Sequence, residues 1–212
     1  EYRGSAESRR STLLSQILGS LMQRTTSPLR TSLLAFLMAL PLFTAQAAGD
    51  AFIPADFQPP TLVETVDFIV KPLGPELMEI DYVAYMSSIE HLQKTFTRST
   101  SWPHERLDME DALLDMQTEE RRFQQRESFA YAVLTPDGEA ELGCVYVYPS
   151  KKAGFDAVIR LWVTQEQYDL GFDATLYNWT QRWIDSAWPF ENPAYPGRAI
   201  SWSDWESVPE AG

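Results

Sequence analysis

Between residues 128 and 164 the sequence carries three apolar runs, "SFAYAVLTP", "ELGCVYVYP" and "DAVIRLWVT", separated by short polar connections. Each is rich in β-branched and aromatic residues, which pack well on a pleated surface. The first two are joined by "PDGE", in which Asp137-Gly138 is a strong hairpin signal. We therefore read strands over residues 128–136, 141–149 and 156–164. Three strands with such short links form an antiparallel centre, and the rest of the chain has to cover it.

The flanking patterns supply the cover. "TLVETVDFIVKPL" (residues 61–73) reads as a strand, and "LGPE" as a helix start, with Pro75 suited to the first turn and Glu76 to the helix dipole. Leu77, Ile80, Tyr82, Ala84, Tyr85, Ile89 and Leu92 recur at helical spacing. "RSTSWPHERL" (residues 98–107) reads as a loop. Asp108 caps the next helix with Asp111 three residues on, and Leu113, Leu114, Met116 and Phe123 mark its apolar side to about Arg126. A last long helix begins near Asp169 and carries Leu176, Tyr177, Trp179, Thr180, Trp183 and Ile184 before "WPFENP" stops it. Residues 194–200 read as a short extended piece, followed by a tail with Trp202 and Trp205. The order β-α-α-β-β-β-α-β, without internal repeats, is that of an α+β fold: a mixed, mostly antiparallel central sheet with helices on both faces.

The first residues stand apart. In "MQRTTSPLRTSLLAFLMALPLFTAQAAGD" (residues 22–50), Arg24 and Arg30 precede an uncharged apolar run at residues 33–43, and Ala45-Gln46-Ala47 then offers small residues. That order is a secretory signal pattern, too short for a stable transmembrane span; a core helix is the competing reading. We expect residues 1–21 to lie upstream of a true start at Met22, residues 22–47 to be a signal peptide, residues 48–60 to be a proline-punctuated extended linker, and residues 61–212 to form the domain. Localisation is then periplasmic or secreted, or cytoplasmic if the start lies elsewhere.

Charge and composition narrow the function classes. The whole chain has a formal net charge of -13. Residues 48–212 hold 12 basic and 28 acidic residues, a net of -16. Such acidity excludes a general nucleic-acid binder, and no membrane contact is expected once the signal is removed. Arg121, Arg122 and Arg126 are offset by Glu119, Glu120 and Glu127. The single cysteine, Cys144, excludes an intrachain disulfide, and two histidines, His91 and His104, are too few for a zinc site, so no metal is expected.

The element order, with "FAYAVL", "ELGCVYVYPS", "DAVIRLWV", "LGFDATLYNWTQRWI" and "AYPGR", resembles the GNAT superfamily of acyl-CoA N-acyltransferases over roughly residues 61–205. The resemblance implies a strand splayed from its neighbour, acyl-CoA (acetyl-CoA the usual one) in the gap, and an amine acceptor. It also implies pyrophosphate on the free amides of the following helix, where the dipole favours an anion. Carried onto this sequence, the splayed strand is 156–164 and the phosphate loop 167–174. Val163, Thr164, Tyr168, Gly171, Phe172, Asp173 and Ala174 become the cofactor contacts. In that register only Gly171 matches the superfamily's loop pattern. Asp173 puts a carboxylate where phosphate should approach, and Asp169 adds another; both also suit helix N-terminal capping.

Transfer to an amine needs a base and an acid. Glu166, just past the strand, is the candidate base by that geometry, and Tyr195 the candidate acid. Val158, Arg160, Trp162 and Thr164 alternate onto one strand face. Arg160 either meets a ligand carboxylate or pairs with Glu141 or Asp156, since a buried guanidinium has to be paired. Tyr146 and Tyr148 either line a pocket or cover the core. Trp102 and His104 lie in a loop that contacts the acceptor or is simply solvated. Cys144 lacks an activating neighbour and reads as a small buried hydrophobe. Two functions follow: an acyltransferase, or an exported non-catalytic binding domain on the same scaffold.

Overall fold

The computed structural model describes residues 51–211, so the signal-like stretch at 22–47 lies outside the described residues. Six strands form one sheet in chain order: β1 Val63–Glu64, β2 Ile69–Pro72, β3 Phe129–Leu134, β4 Glu141–Pro149, β5 Ala157–Val163 and β6 Pro193–Ala194. All neighbours are antiparallel except β5 and β6, which run parallel. The 61–73 stretch is a hairpin and not one strand. Thr65 turns it: its hydroxyl accepts the Phe68 N–H at 2.9 Å, and its own N–H reaches the Phe68 carbonyl at 2.9 Å.

Alternation along the strands makes two cores. Phe129, Tyr131, Val133, Val145, Val147, Ile159, Leu161 and Val163 point one way, onto Leu176, Trp183 and Ile184 of the long helix Phe172–Ala187. Ala130, Ala132, Leu134, Cys144, Tyr146 and Trp162 point the other way, onto Leu77, Ala84, Tyr85, Leu92 and Met116. Each face is thus sealed by helices, as the sequence pattern requires. Gly143 lets β4 approach β5 closely; a Cβ there would meet the Trp162 carbonyl oxygen at 2.1 Å.

The first helical region is segmented. A 3₁₀ turn at Pro75–Leu77 leads into α1 (Met78–Met86), then α2 (Ile89–Leu92), then a π turn at Gln93–Thr97. The break at Ser87-Ser88 has a tertiary use: the Ser88 hydroxyl accepts the Gln165 N–H at 2.9 Å, tying α1–α2 to the end of β5. Helix α3 (Met109–Gln124) begins as expected, with the Asp108 carboxylate accepting from Glu110 and Asp111 and the Asp111 carboxylate accepting from Asp108. These reciprocal bonds satisfy donors the helix cannot.

Past β5 the expected loop is instead a short helix, α4 (Gln165–Asp169), capped by the Thr164 hydroxyl, which accepts the Gln167 N–H. Gly171, at φ 79°, turns the chain into α5 (Phe172–Ala187). A side chain there would be strained in the left-handed region. The extended piece at 194–200 shrinks to β6 and one isolated bridge, Pro196 to Ile200. The aromatic tail holds a helix that the sequence pattern did not reveal, α6 (Trp202–Ser207), started by the Ser201 hydroxyl, which accepts the Asp204 N–H at 3.1 Å.

Candidate functional site

The site follows from unequal pairing of β5. On one side β4 pairs with it throughout, from Gly143↔Val163 to Pro149↔Ala157. On the other, β6 pairs only at Ala157 and Val158. Beyond Val158 that edge has no strand partner among the described residues, and a cleft of about 300 Å³ opens along it. The α2–π-turn segment contributes His91, Lys94 and Phe96 to its walls. Tyr168 and Asp173 come from the α4–α5 junction, and Arg198 and Trp202 from the segment after β6.

The cleft is cationic in an acidic protein. Lys94, Arg160 and Arg198 line it against one carboxylate, Asp173. Arg198 holds both oxygens of Asp173, through Nη1 and Nη2 at 2.8 Å each. This bidentate geometry is the strong form of a charge-assisted pair. Asp173 therefore faces Arg198, and α5 has no side-chain cap. Asp169 instead accepts from the Gln165 amide at 2.8 Å. The expectation that both acids cap the helix gives way to these partners: Asp173 reaches a charged guanidinium, and Asp169 is the last residue of α4, before Gly171 and the start of α5.

Arg160 enters the cleft from β5. Its Cζ lies 4.3 Å from the Phe96 ring centre and 5.4 Å from that of Trp202, and Nη2 donates to the Phe96 carbonyl. Neither acid named from the sequence pairs with it. Asp156 accepts the N–H groups of Glu191 and Asn192, and Glu141 is buried elsewhere beside Cys144. Among the described residues Arg160 forms no salt bridge. His91 sits 4.8 Å from Tyr168, centre to centre. Burial lowers its pKa, while Asp173 and the Val163 carbonyl pull the other way.

Of the residues singled out from the sequence, Val163, Tyr168, Asp173 and Arg160 meet at this cleft. Thr164 caps α4 at its edge and Gly171 shapes the junction behind it. Phe172 turns away onto Phe68, with ring centres 5.6 Å apart, and Ala174 is exposed. Glu166 is exposed on α4 and does not line the cleft. Tyr195 packs in the core beside Tyr177, 5.8 Å away, and burial raises its pKa. The structure does not bring the candidate base and acid together.

Trp102 and His104 lie outside the cleft as well. Trp102 packs on Tyr85 at 5.2 Å, and the buried His104 Nδ1 has no hydrogen-bond partner. Tyr146 and Tyr148 stack on each other at 5.7 Å and act as core cover beneath Phe96. The Trp162 indole N–H donates to the Tyr146 hydroxyl at 3.2 Å. His91, Lys94, Arg198 and Trp202 were not selected from the sequence as site residues. Arg198 stands 25 positions from Asp173 with no spacing rule to link them.

A second group is buried under α1. The Cys144 thiol donates to Glu141 Oε1 at 2.9 Å, and Asp81 lies beside them. One ligand-capable atom from each falls within 4.8 Å of the others. Burial raises the pKa of all three groups, which favours their neutral forms. Cys144 is fully buried, as its reading as a small hydrophobe requires.

Fold and site together define an α+β domain with a cation-lined cleft along the free edge of a parallel strand pair. No family model matches the sequence, and no curated protein does. Among solved structures, it is similar to a ribosomal-protein-S5-alanine acetyltransferase from Vibrio fischeri, with 14% identity, a TM-score of 0.46, and coverage of 59% of this chain and 67% of that one. A putative ribosomal-protein-serine acetyltransferase from Vibrio cholerae matches at 14% identity and a TM-score of 0.43, over 55% of this chain and 62% of its own. The microcin C7 self-immunity acetyltransferase MccE, in complex with acetyl-CoA and AMP, matches at 15% and 0.43, over 60% and 69%. The chain spans about two thirds of the length of each.

Proposed function

We propose that this chain is an N-acyltransferase-like domain whose cleft takes an acyl-CoA-type thioester along β5 and presents it to an amine. The observation that supports this reading is the unpaired β5 edge beyond Val158, opening on a cation-lined cleft. Residues 159–163 offer backbone amides to an extended, amide-bearing arm, and 300 Å³ is at the lower end of small-molecule sites. The start of α5 is free of a side-chain cap, which suits phosphate. Asp173 is the misfit there, because its charge opposes an incoming phosphate while it holds Arg198.

In acyl transfer the amine nitrogen bonds to the thioester carbonyl carbon and the carbon–sulfur bond breaks. The ammonium proton leaves first and the thiolate gains one. His91 is the candidate base: burial lowers its pKa, so the imidazole is largely neutral near pH 7 and can accept that proton. Calorimetric titration of the full chain with acetyl-CoA tests the reading. We expect a dissociation constant of roughly 1 mM, about -4 kcal/mol, because of Asp173. No binding by either the natural protein or a variant lacking the Asp173 charge would sink it.

The Asp173–Arg198 bridge favours a second reading, an exported non-catalytic binding domain. The signal-like residues 22–47 are its other support. Mass spectrometry of protein from an exporting host should then find a chain starting at or near Ala48. A mature chain retaining residues 33–43 would remove the export argument.

A further inference from the structure

Arg160 is a cation placed in an apolar frame without an anion. It comes from the middle of a buried strand, where the neighbours Ile159 and Leu161 belong to the core. Its Cζ lies 4.3 Å from the Phe96 ring centre and 5.4 Å from that of Trp202, and one nitrogen, Nη2, is used by the Phe96 carbonyl. The other guanidinium nitrogens, Nη1 and Nε, make no hydrogen bond among the described residues. The titratable groups that bear on its charge are Tyr148 and Tyr146, and burial raises both phenols, so they stay neutral and supply no counter-charge. Arg98, on the same Trp202 ring at 5.0 Å, is already paired with Glu206 at 2.8 Å. Arg198 is already paired with Asp173. Arg160 is thus the cleft arginine left without a carboxylate, and it opens into the cleft.

Contact with two rings compensates a guanidinium less than a hydrogen-bonded anion does. The two rings and the Phe96 carbonyl restrict the fork, and Nη1 and Nε remain for a planar two-oxygen partner. We propose that Arg160 anchors a carboxylate of the amine acceptor, so that the acceptor class is an amino acid or another amine bearing a carboxylate. This rests on the acyltransferase reading for the word acceptor. The carboxylate site itself rests only on the cavity and on the unpaired, ring-stacked guanidinium.

The test is an NMR titration of the full chain, following the tryptophan indole signals, with L-phenylalanine, L-phenylalaninamide and inorganic phosphate as separate probes. L-Phenylalanine should bind about ten-fold more tightly than its amide, which keeps the shape and the amine but lacks the charge. Arg160→Gln should abolish that difference, and Arg160→Lys should retain part of it. Equal binding of acid and amide, binding of phosphate alone, or no binding of any probe would overturn the proposal. So would an Arg160→Gln protein that melts normally yet discriminates as the natural protein does. A carboxylate preference without acetyl-CoA binding would remove the acyltransferase reading and keep the carboxylate site.

Discussion

Asp173 and Arg198 face each other across the mouth of the cleft, joined by two parallel hydrogen bonds of 2.8 Å. One residue belongs to the first turn of α5 and the other to the segment after β6, so the pair ties together the two walls that diverge from β5. An anionic ligand at the α5 start has to compete with that carboxylate for Arg198.

Removing the carboxylate should therefore help such a ligand. Asp173→Ala deletes one negative charge and releases Arg198 to the ligand. We expect acetyl-CoA affinity to rise by about ten-fold or more in calorimetry, since charge-assisted contacts of this kind contribute about 1.5–3 kcal/mol. An unchanged or weaker affinity in a variant that melts normally would show that the α5 start is not the phosphate end of the site.

Trp183 carries much of the α5 contact with the sheet. It is 7% exposed and meets Tyr131 edge-on at 5.2 Å, Trp179 stacked at 5.1 Å and Trp188 edge-on at 5.7 Å. Trp183→Ala should cost about 3–5 kcal/mol through lost burial and a large residual cavity. Denaturant melts measure it; a loss below about 1 kcal/mol would mean that the surrounding rings close over the gap.

The Asp81–Glu141–Cys144 group makes stability depend on pH. Burial pushes Asp81 up to about 7 from an ordinary 3.8. Asp115 raises it further, while contacts with Glu141 and Cys144 lower it. The folded protein then keeps a proton that the unfolded chain releases near pH 4. Stability from this group is full below pH 3.8 and falls as pH rises towards 7, by at most about 1.4 kcal/mol per pH unit. Melts at pH 5 and pH 8 should show a less stable protein at pH 8, and Asp81→Asn should shrink the difference. An identical pH profile in that variant would place the effect elsewhere.

Sequence alone determined the sheet centre and its alternation. Phe129–Leu134, Glu141–Pro149 and Ala157–Val163 fall within a residue or two of the runs read from the pattern, because a side-chain period of two is a local property. The Asp108 cap was legible for the same reason. The segmented α1–α2 region and the Thr65 turn were less so, since an apolar periodicity does not register a backbone break stabilised by a distant partner such as Gln165. Half of the site was legible: an arginine inside an apolar strand marked Arg160, and the glycine turn marked Gly171. Tertiary structure alone decided what those residues meet. His91, Lys94, Arg198 and Trp202 reach the cleft because β6 leaves β5 after two pairs, and that divergence brings together segments with no spacing to relate them. For Asp173 the charge at the helix start was legible from its position, while its partner, 25 residues away, had to be brought in by the fold.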